Sequence, residues 1–453
     1  MQKDQIIECL VESLAYGGRG VARVDGRVVF VEGAVPGQKV RARLTKVKKR
    51  FAEAVLVDQV SPSPEAAEPF CRHFGECGGC LFQNLAYEAQ LREKGTQVEE
   101  TMRRIGGVEF AEVLPPVGSP RTRAYRNKME FAFEGVGAGL ALGLRVRGGK
   151  RVVDVPACGL MSDKAIEVVR EAGEFCRESG APSWSPKNRK GFWRHLVVRQ
   201  SRTDERILVH LITSLEKEHY EAAAALGEYL VAEVGVDGFA HSTRKSAQEL
   251  AFGERRILTL GLERLTERIK AGDRELRFNI SADAFFQPNT DTAEILYAAA
   301  LDFADLQGGE RVLDLYCGAG GFGLALAGKA ESVLGLEMVE AAVLDARRNA
   351  EANGLTNCEF KVVDLDGGPE QPVRLPKAEV VVCDPPRGGM SVPLVEALKR
   401  MAPERIVAVS CDPPALARDI ALLGYEPVRL LAVDQFPHTA HVECVALLKR
   451  AEA

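Results

Sequence analysis

No apolar run in this chain approaches the length needed to cross a bilayer, and its opening, MQKDQIIECL, lacks a secretory pattern. There is no internal repeat, no low-complexity tract and no excess of positive charge: the formal net charge is −5. These absences argue against a membrane protein, an exported protein and a repeat scaffold, and the total charge does not advertise a nucleic-acid binder. The 11 cysteines are an odd number with no export signal beside them, so disulfides are not expected. A cytoplasmic chain with reduced thiols is expected instead, and any cysteine cluster then points to metal or catalysis. At 453 residues, 46% hydrophobic and 27% charged, the chain is globular and too long for one ordinary domain.

Three regions are expected: residues 1–62, 63–270 and 271–453. The first alternates short apolar runs with glycine turns. Val28 to Val31 and Val40 to Leu44 read as strands, and Asp25-Gly26 and Pro36-Gly37 as turns, which suggests a small barrel. Between Lys39 and Arg50 lie seven basic residues (Lys39, Arg41, Arg43, Lys46, Lys48, Lys49, Arg50) and no acid, a face suited to phosphates or simply to solvent. Pro62, Pro64 and Pro69 then mark a linker.

The second region opens with CRHFGECGGC, placing Cys71, Cys77 and Cys80 close together among glycines. Thiolates are soft metal ligands, and a fourth is expected from Cys158 through space. Zinc and an iron–sulfur cluster both accept four thiolates, so ligand type alone leaves the two open. His73, inside the loop, reads as incidental. A helix is expected from about Leu85 to Ile105, then a strand-rich stretch of mixed α+β character. Arg121, Arg123, Arg126 and Lys128 beside Tyr125 form a second basic group that suits phosphate contact next to a stacking ring.

From Arg311 apolar strands alternate with helices, the pattern of a doubly wound α/β domain. RVLDLYCGAGGFG carries Gly318, Gly320 and Gly323 in the spacing of a dinucleotide fold, so a nicotinamide-dependent oxidoreductase is one reading. Asp314 within the strand end argues for S-adenosylmethionine instead, because a carboxylate suits its cationic amino-acid end better than it suits a pyrophosphate. Glu337 ends the next strand, where it can accept hydrogen bonds from ribose hydroxyls. Asp364 and Asp384 end the third and fourth. Acids repeated at one sheet edge are hard to explain as packing.

The fifth strand runs into RIVAVSCDPPALARD, where Cys411 is followed by two prolines that stop the ladder and hold the thiol at the strand's carboxyl end. A pyrimidine C5 is too weakly nucleophilic to take a methyl group from a sulfonium. Thiolate addition at C6 activates it, and a base must afterwards remove the C5 proton. PHTAHVECVALLKR offers Glu443, a costly residue at the start of an apolar strand, with His438 and His441 as alternatives.

CRHFGECGGC, ACGL, FFQPN, DLYCGAGGFG, CDPPR, SCDPPALARD and PHTAHVE together resemble the RNA uracil-5-methyltransferase family, and the first region resembles a TRAM domain. The resemblance spans essentially the whole chain. It implies a class I methyltransferase domain, Cys411 as nucleophile and Glu443 as base. It also implies a methyl-donor pocket lined by Gln287, Tyr316, Gly321, Glu337, Asp364 and Asp384, and a [4Fe-4S] cluster on Cys71, Cys77, Cys80 and Cys158. Gly321 and Asp412 stand where the family often has Asn. Family members with both the barrel and the four cysteines act mostly on large-subunit ribosomal RNA, so a monomeric enzyme on 23S ribosomal RNA is expected, with transfer RNA second. A non-catalytic RNA-binding iron–sulfur protein is the remaining reading.

Overall fold

The computed structural model describes residues 1–367 and 373–451. Five strands close a barrel at the start of the chain: Ile6–Ala15, Arg19–Val24, Arg27–Glu32, Lys39–Val47 and Phe51–Ser61. In Lys39–Val47, Val40, Ala42 and Leu44 point inward and Lys39, Arg41 and Arg43 outward, the period-two alternation of a half-buried strand. Asp25 (φ +50°) and Gly26 (φ +74°) form the two-residue turn expected there, since both positions need left-handed backbone.

The expected basic face is largely neutralised. Lys39 pairs with Glu8 (2.5 Å), Lys46 with Glu53 (3.1 Å), Arg41 with Asp58 (3.2 Å) and Arg43 with Asp4 (3.8 Å). Glu8, Glu53 and Asp58 come from neighbouring strands and Asp4 from the turn before the first strand, which a linear count of charges does not see. Lys48, Lys49 and Arg50, at the turn into the last strand, have no carboxylate within reach among the described residues.

The middle of the chain forms a seven-stranded sheet in the order Arg255–Gly261, Gly238–Thr243, Ile207–Thr213, Trp193–Gln200, Lys128–Glu134, Ala141–Arg145, Val152–Asp154. The helices Asp163–Glu178 and Tyr220–Ala232 pack against it. Of the second basic group only Arg123 is exposed. Tyr125 is buried, its hydroxyl donating to the Pro437 carbonyl (3.2 Å), and Arg121 is paired with Asp291 (2.7 Å). These groups hold the middle region to the C-terminal one. The expected helix before them runs Tyr87–Thr101 and widens into a π turn, Met102–Gly106.

The C-terminal sheet has eight strands in the order Cys358–Val362, Ser332–Glu337, Arg311–Leu315, Val380–Cys383, Arg405–Ser410, Glu443–Lys449, Glu426–Val433, Glu112–Val113. The first five are parallel and Glu443–Lys449 is antiparallel to both of its neighbours. Val312, Val382 and Val407 face one apolar core while Leu313, Val381 and Ile406 face another, so both faces are covered. The hairpin Arg264–Ala271/Arg274–Ser281 leads into this region. Strand order reverses between Arg311–Leu315 and Val380–Cys383, where such sheets leave a crevice at their carboxyl edge.

Candidate active site

The chain turns sharply at the end of Arg405–Ser410. The Asp412 backbone N–H donates to Ser410 Oγ (3.1 Å), and Asp412 Oδ1 accepts the Ala415 N–H (3.0 Å), capping the helix Pro413–Leu423. Pro413 and Pro414 fall in the first helical turn, where a missing N–H costs nothing. Cys411 is thus pinned between a strand and a cap. Ser410 lies opposite Cys444 in the antiparallel pair, which brings Glu443, one step on, to the same edge as Cys411. Glu443 is 5% exposed.

Burial raises the Glu443 carboxyl above the usual range, and the nearby Asp384 charge raises it further. Asp384 is itself raised by burial, opposed by the Gln287 amide that donates to its Oδ2 (3.4 Å). Two such carboxyls hold a proton near neutrality more readily than either would alone. Burial, then Glu443 and Asp384, push the Cys411 thiol up to about 11, and the Arg387 guanidinium opposes them. Arg387 also reaches the His441 ring (3.3 Å). Both candidate histidines are pushed down to about 4, chiefly by burial, and are weak bases for it. His438 packs edge-on to Phe70 and faces the Gln90 amide (3.2 Å), a packing role.

The neighbouring crevice gathers the other expected residues. Asp314 Oδ2 accepts the Gly323 N–H (2.8 Å), while its Oδ1 is buried without a partner. Burial, with Asp384 and Glu337 adding to it, pushes this carboxyl up to about 8. A buried unpartnered carboxylate oxygen fits a cationic ligand group, as the ammonium of S-adenosylmethionine requires. Glu337 accepts the N–H groups of Val339 (2.9 Å) and Gly318 (3.2 Å). Tyr316 sits at φ +60° with its hydroxyl buried and unpartnered. A side chain on Gly321 would collide with the buried Tyr297 hydroxyl. Gln287 is held by Asn127, which donates to its carbonyl (2.8 Å), and by Gln435, which donates to its side-chain oxygen. Asp364 follows Val363, whose N–H donates to the Glu337 carbonyl (2.9 Å), so it lies at the same sheet edge. It lies in the exposed loop beyond Val362, accepting the Asp366 N–H (2.9 Å).

Cys71, Cys77, Cys80 and Cys158 come together in one pocket, unpaired as disulfides. The loop is pinned where the Gly78 N–H donates to the Arg145 carbonyl (2.9 Å) and the Cys71 N–H to Gln83 Oε1 (3.1 Å). His73 turns toward Arg72 instead (3.2 Å). Among the described residues, three candidate ligand atoms lie within 4.8 Å of one another only at Glu216, Glu218 and His219. The thiols are therefore spread more widely than the edge of about 3.8 Å that tetrahedral zinc–thiolate bonding demands.

Three groups were not picked out as site residues from the sequence. Arg387 stood in a motif but had no role. Gln435 and Tyr16, the latter donating from the barrel to Asp412 Oδ2 (3.0 Å), carry no local signal.

A doubly wound sheet with acids along its carboxyl edge and an unpartnered Asp314 oxygen fits an S-adenosylmethionine-dependent methyltransferase. Comparison with known proteins agrees, matching a methyltransferase domain at residues 306–439, a TRAM domain at 2–57 and a tRNA (Uracil-5-)-methyltransferase family model at 239–366. A protein of Nitratidesulfovibrio vulgaris described as an uncharacterized RNA methyltransferase is 43% identical, covering 98% of this chain and 96% of the relative. One of Halalkalibacterium halodurans, described likewise, is 35% identical, covering 99% and 98%. The solved structure of Pyrococcus abyssi tRNA (uracil-54, C5)-methyltransferase with S-adenosyl-L-homocysteine superposes with a TM-score of 0.75 at 30% identity, covering 98% of this chain and 100% of that one. The chain belongs to the RNA uracil-5-methyltransferase family, which removes the oxidoreductase reading of the glycine pattern.

Proposed function

We propose that this enzyme methylates C5 of a uridine in 23S ribosomal RNA through a covalent adduct on Cys411. The observation that carries the reading is the register Ser410↔Cys444, which sets Cys411, the residue after one, beside Glu443, the residue before the other, at the carboxyl edge near Arg387. The target uridine must leave its stack to reach a thiol at the foot of the crevice. Arg387 favours the thiolate, which adds to C6 and makes C5 an enolate-like nucleophile. S-adenosylmethionine supplies the methyl group to C5. Glu443 then accepts the C5 proton, the electron pair restores the C5–C6 double bond, and the thiolate is expelled. Gln287, Tyr316, Gly321, Glu337, Asp364 and Asp384 are proposed to line the methyl-donor pocket.

Denaturing gels with RNA and labelled methyl donor test the assignment. Cys411→Ala should give neither turnover nor adduct. Glu443→Gln should accumulate a methylated protein–RNA adduct, because addition and transfer precede the proton removal that it lacks. Normal turnover by Glu443→Gln, with the adduct trapped in His441→Ala instead, would reassign the base. Turnover by Cys411→Ala would end the covalent mechanism.

Ribosomal RNA is proposed from the combination of barrel and four cysteines. Transfer RNA is the second reading, favoured by the end-to-end overlap with the solved Pyrococcus abyssi transfer RNA enzyme, since that overlap includes the barrel. Mapping methyluridine in both RNA classes from a strain lacking this protein separates them. The four cysteines are proposed to hold a [4Fe-4S] cluster that orders the loop beside the barrel. Anaerobically purified protein should then be brown, and iron and sulfide should be lost in Cys77→Ser. Colourless protein with stoichiometric zinc would decide against the cluster.

A further inference from the structure

The turn between the first two barrel strands lies at the active site rather than away from it. Its residues Tyr16 and Gly17 line a cavity of about 340 Å³ together with Arg387, Asp412 and His441, while Gly78 and Gly79 of the cysteine loop close another side. The turn is firmly seated. Gly18, at φ +87°, is packed so closely that a Cβ there would lie 2.8 Å from Leu81 and 3.2 Å from Ala440. Leu14 on the same strand is buried with Phe82, Leu85, Ala89 and Ala440, and its N–H donates to Glu93 (2.7 Å).

From that seat the Tyr16 hydroxyl donates to Asp412 Oδ2 (3.0 Å), across 396 residues of sequence. Asp412 follows the nucleophile directly, and its other oxygen already caps the helix Pro413–Leu423. One carboxylate therefore ties the barrel, the helix and the Cys411 junction together. Burial, the Asp412 charge and the Cys411 sulfur all hold the Tyr16 proton in place, so the hydroxyl remains a donor.

We propose that Tyr16 is a positioning residue, through which docking of the RNA-binding barrel fixes the loop that carries the nucleophile. The proposal rests on the assignment of Cys411 in the preceding section. The charged and titratable groups around the thiol are Glu443, Asp384 and Arg387 from the sheet edge, His441 from the segment before Glu443, and Asp412 and Tyr16 themselves. Without the Tyr16 hydroxyl the Asp412 carboxylate is less neutralised beside the sulfur, and thiolate formation moves to higher pH.

The test is single-turnover adduct formation by the full chain with RNA bearing 5-fluorouridine, whose fluorine leaves no C5 proton to remove, so the adduct persists. Tyr16→Phe should form it about 10-fold more slowly at saturating RNA, the effect of losing one hydrogen bond to a charged acceptor. RNA affinity should stay within about twofold and the pH limb should move upward. Asp412→Ser keeps the helix cap but is too short to reach Tyr16, so in that background Tyr16→Phe should add nothing. An unchanged rate in Tyr16→Phe would overturn the proposal, as would an equal loss in the Asp412→Ser background. Weakened RNA binding with a normal saturated rate would also overturn it, making Tyr16 a contact to RNA. An adduct still formed by Cys411→Ala would overturn the nucleophile assignment instead.

Discussion

At the scale of single residues, the site works by placing acids where water does not reach them. Glu443 and Asp384 are raised by burial, Glu443 also by the charge of its neighbour, and under the proposed mechanism only an ionised Glu443 takes the C5 proton. Turnover should therefore climb with pH as the pair loses its shared proton. Asp384→Asn removes the repulsion and should shift that limb to lower pH; a limb that stays put would dissociate the two groups. Asp314 gives a second expectation. Its folded carboxyl is pushed from 3.8 up to about 8, so the folded state keeps a proton that the unfolded chain releases. The stability this lends is present in full below pH 3.8 and is lost as pH rises toward 8. Ligand-free Asp314→Asn should thus melt higher than the parent at pH 8.5, with no advantage at pH 4. Asn still accepts the Gly323 N–H but cannot serve a cationic ligand, so affinity for S-adenosylmethionine should fall in the same variant.

At the scale of elements, the helix Tyr87–Thr101 braces the segment that delivers Glu443. Lys94 on that helix is 1% exposed and pairs with Asp434 (2.6 Å), also donating to the Phe436 carbonyl (3.1 Å). The segment from Asp434 to Val442 needs such support, because His438 holds φ +67° and the chain is irregular up to the next strand. Lys94→Met strands Asp434 as a buried charge and should cost about 3–5 kcal/mol in urea unfolding. The double variant Lys94→Met/Asp434→Leu should recover much of that loss. If it does not, the pair is holding the segment's conformation and not merely cancelling a charge. Asn289 has a comparable position: it caps the helix Thr290–Ala304 and donates to Ser119 Oγ (3.1 Å) and the Gln435 carbonyl (3.2 Å), which steadies Gln287.

At the scale of the whole molecule, barrel, cysteine loop and methyltransferase sheet converge on one cavity, and among the described residues no helix is long and apolar enough to cross a membrane. Charge on the barrel is divided between structural and available groups. Reversing Lys48, Lys49 and Arg50 to Glu should weaken RNA binding and flatten its dependence on salt, by about one unit of slope for each phosphate that is no longer neutralised. Affinity for S-adenosylmethionine should be unaffected. Reversing Lys39, Arg41 and Arg43 should act on barrel stability instead, because each of them answers an acid on the barrel itself. A salt slope indifferent to Lys48, Lys49 and Arg50 would make that turn a solvated one.

Local chemistry determined much of this protein before folding is considered. Near-continuous apolar runs in RVLDL, VVVC and RIVAVS mark parallel strands buried on both faces, and the residues that end them, Asp384 and Cys411 among them, fall at one edge because parallel strands share a direction. Asp25-Gly26 specified its turn, and the Pro pair after Asp412 specified the start of a helix, by backbone constraints that act within a few residues. What lies opposite what was decided by the tertiary structure. The antiparallel insertion of Glu443–Lys449 beside Arg405–Ser410 brings Glu443 to the edge that holds the thiol, while burial depresses the imidazoles of His438 and His441. The acids that neutralise Lys39, Arg41 and Arg43 come from other strands and from the turn before the first, and Tyr125 and Arg121 are consumed in an interface, so a run of basic residues overstated the charge on offer. Tyr16 is the furthest case. A tyrosine beside two glycines reads as a turn, and only the seating of the barrel, with Gly18 against Leu81 and Ala440, carries its hydroxyl to Asp412.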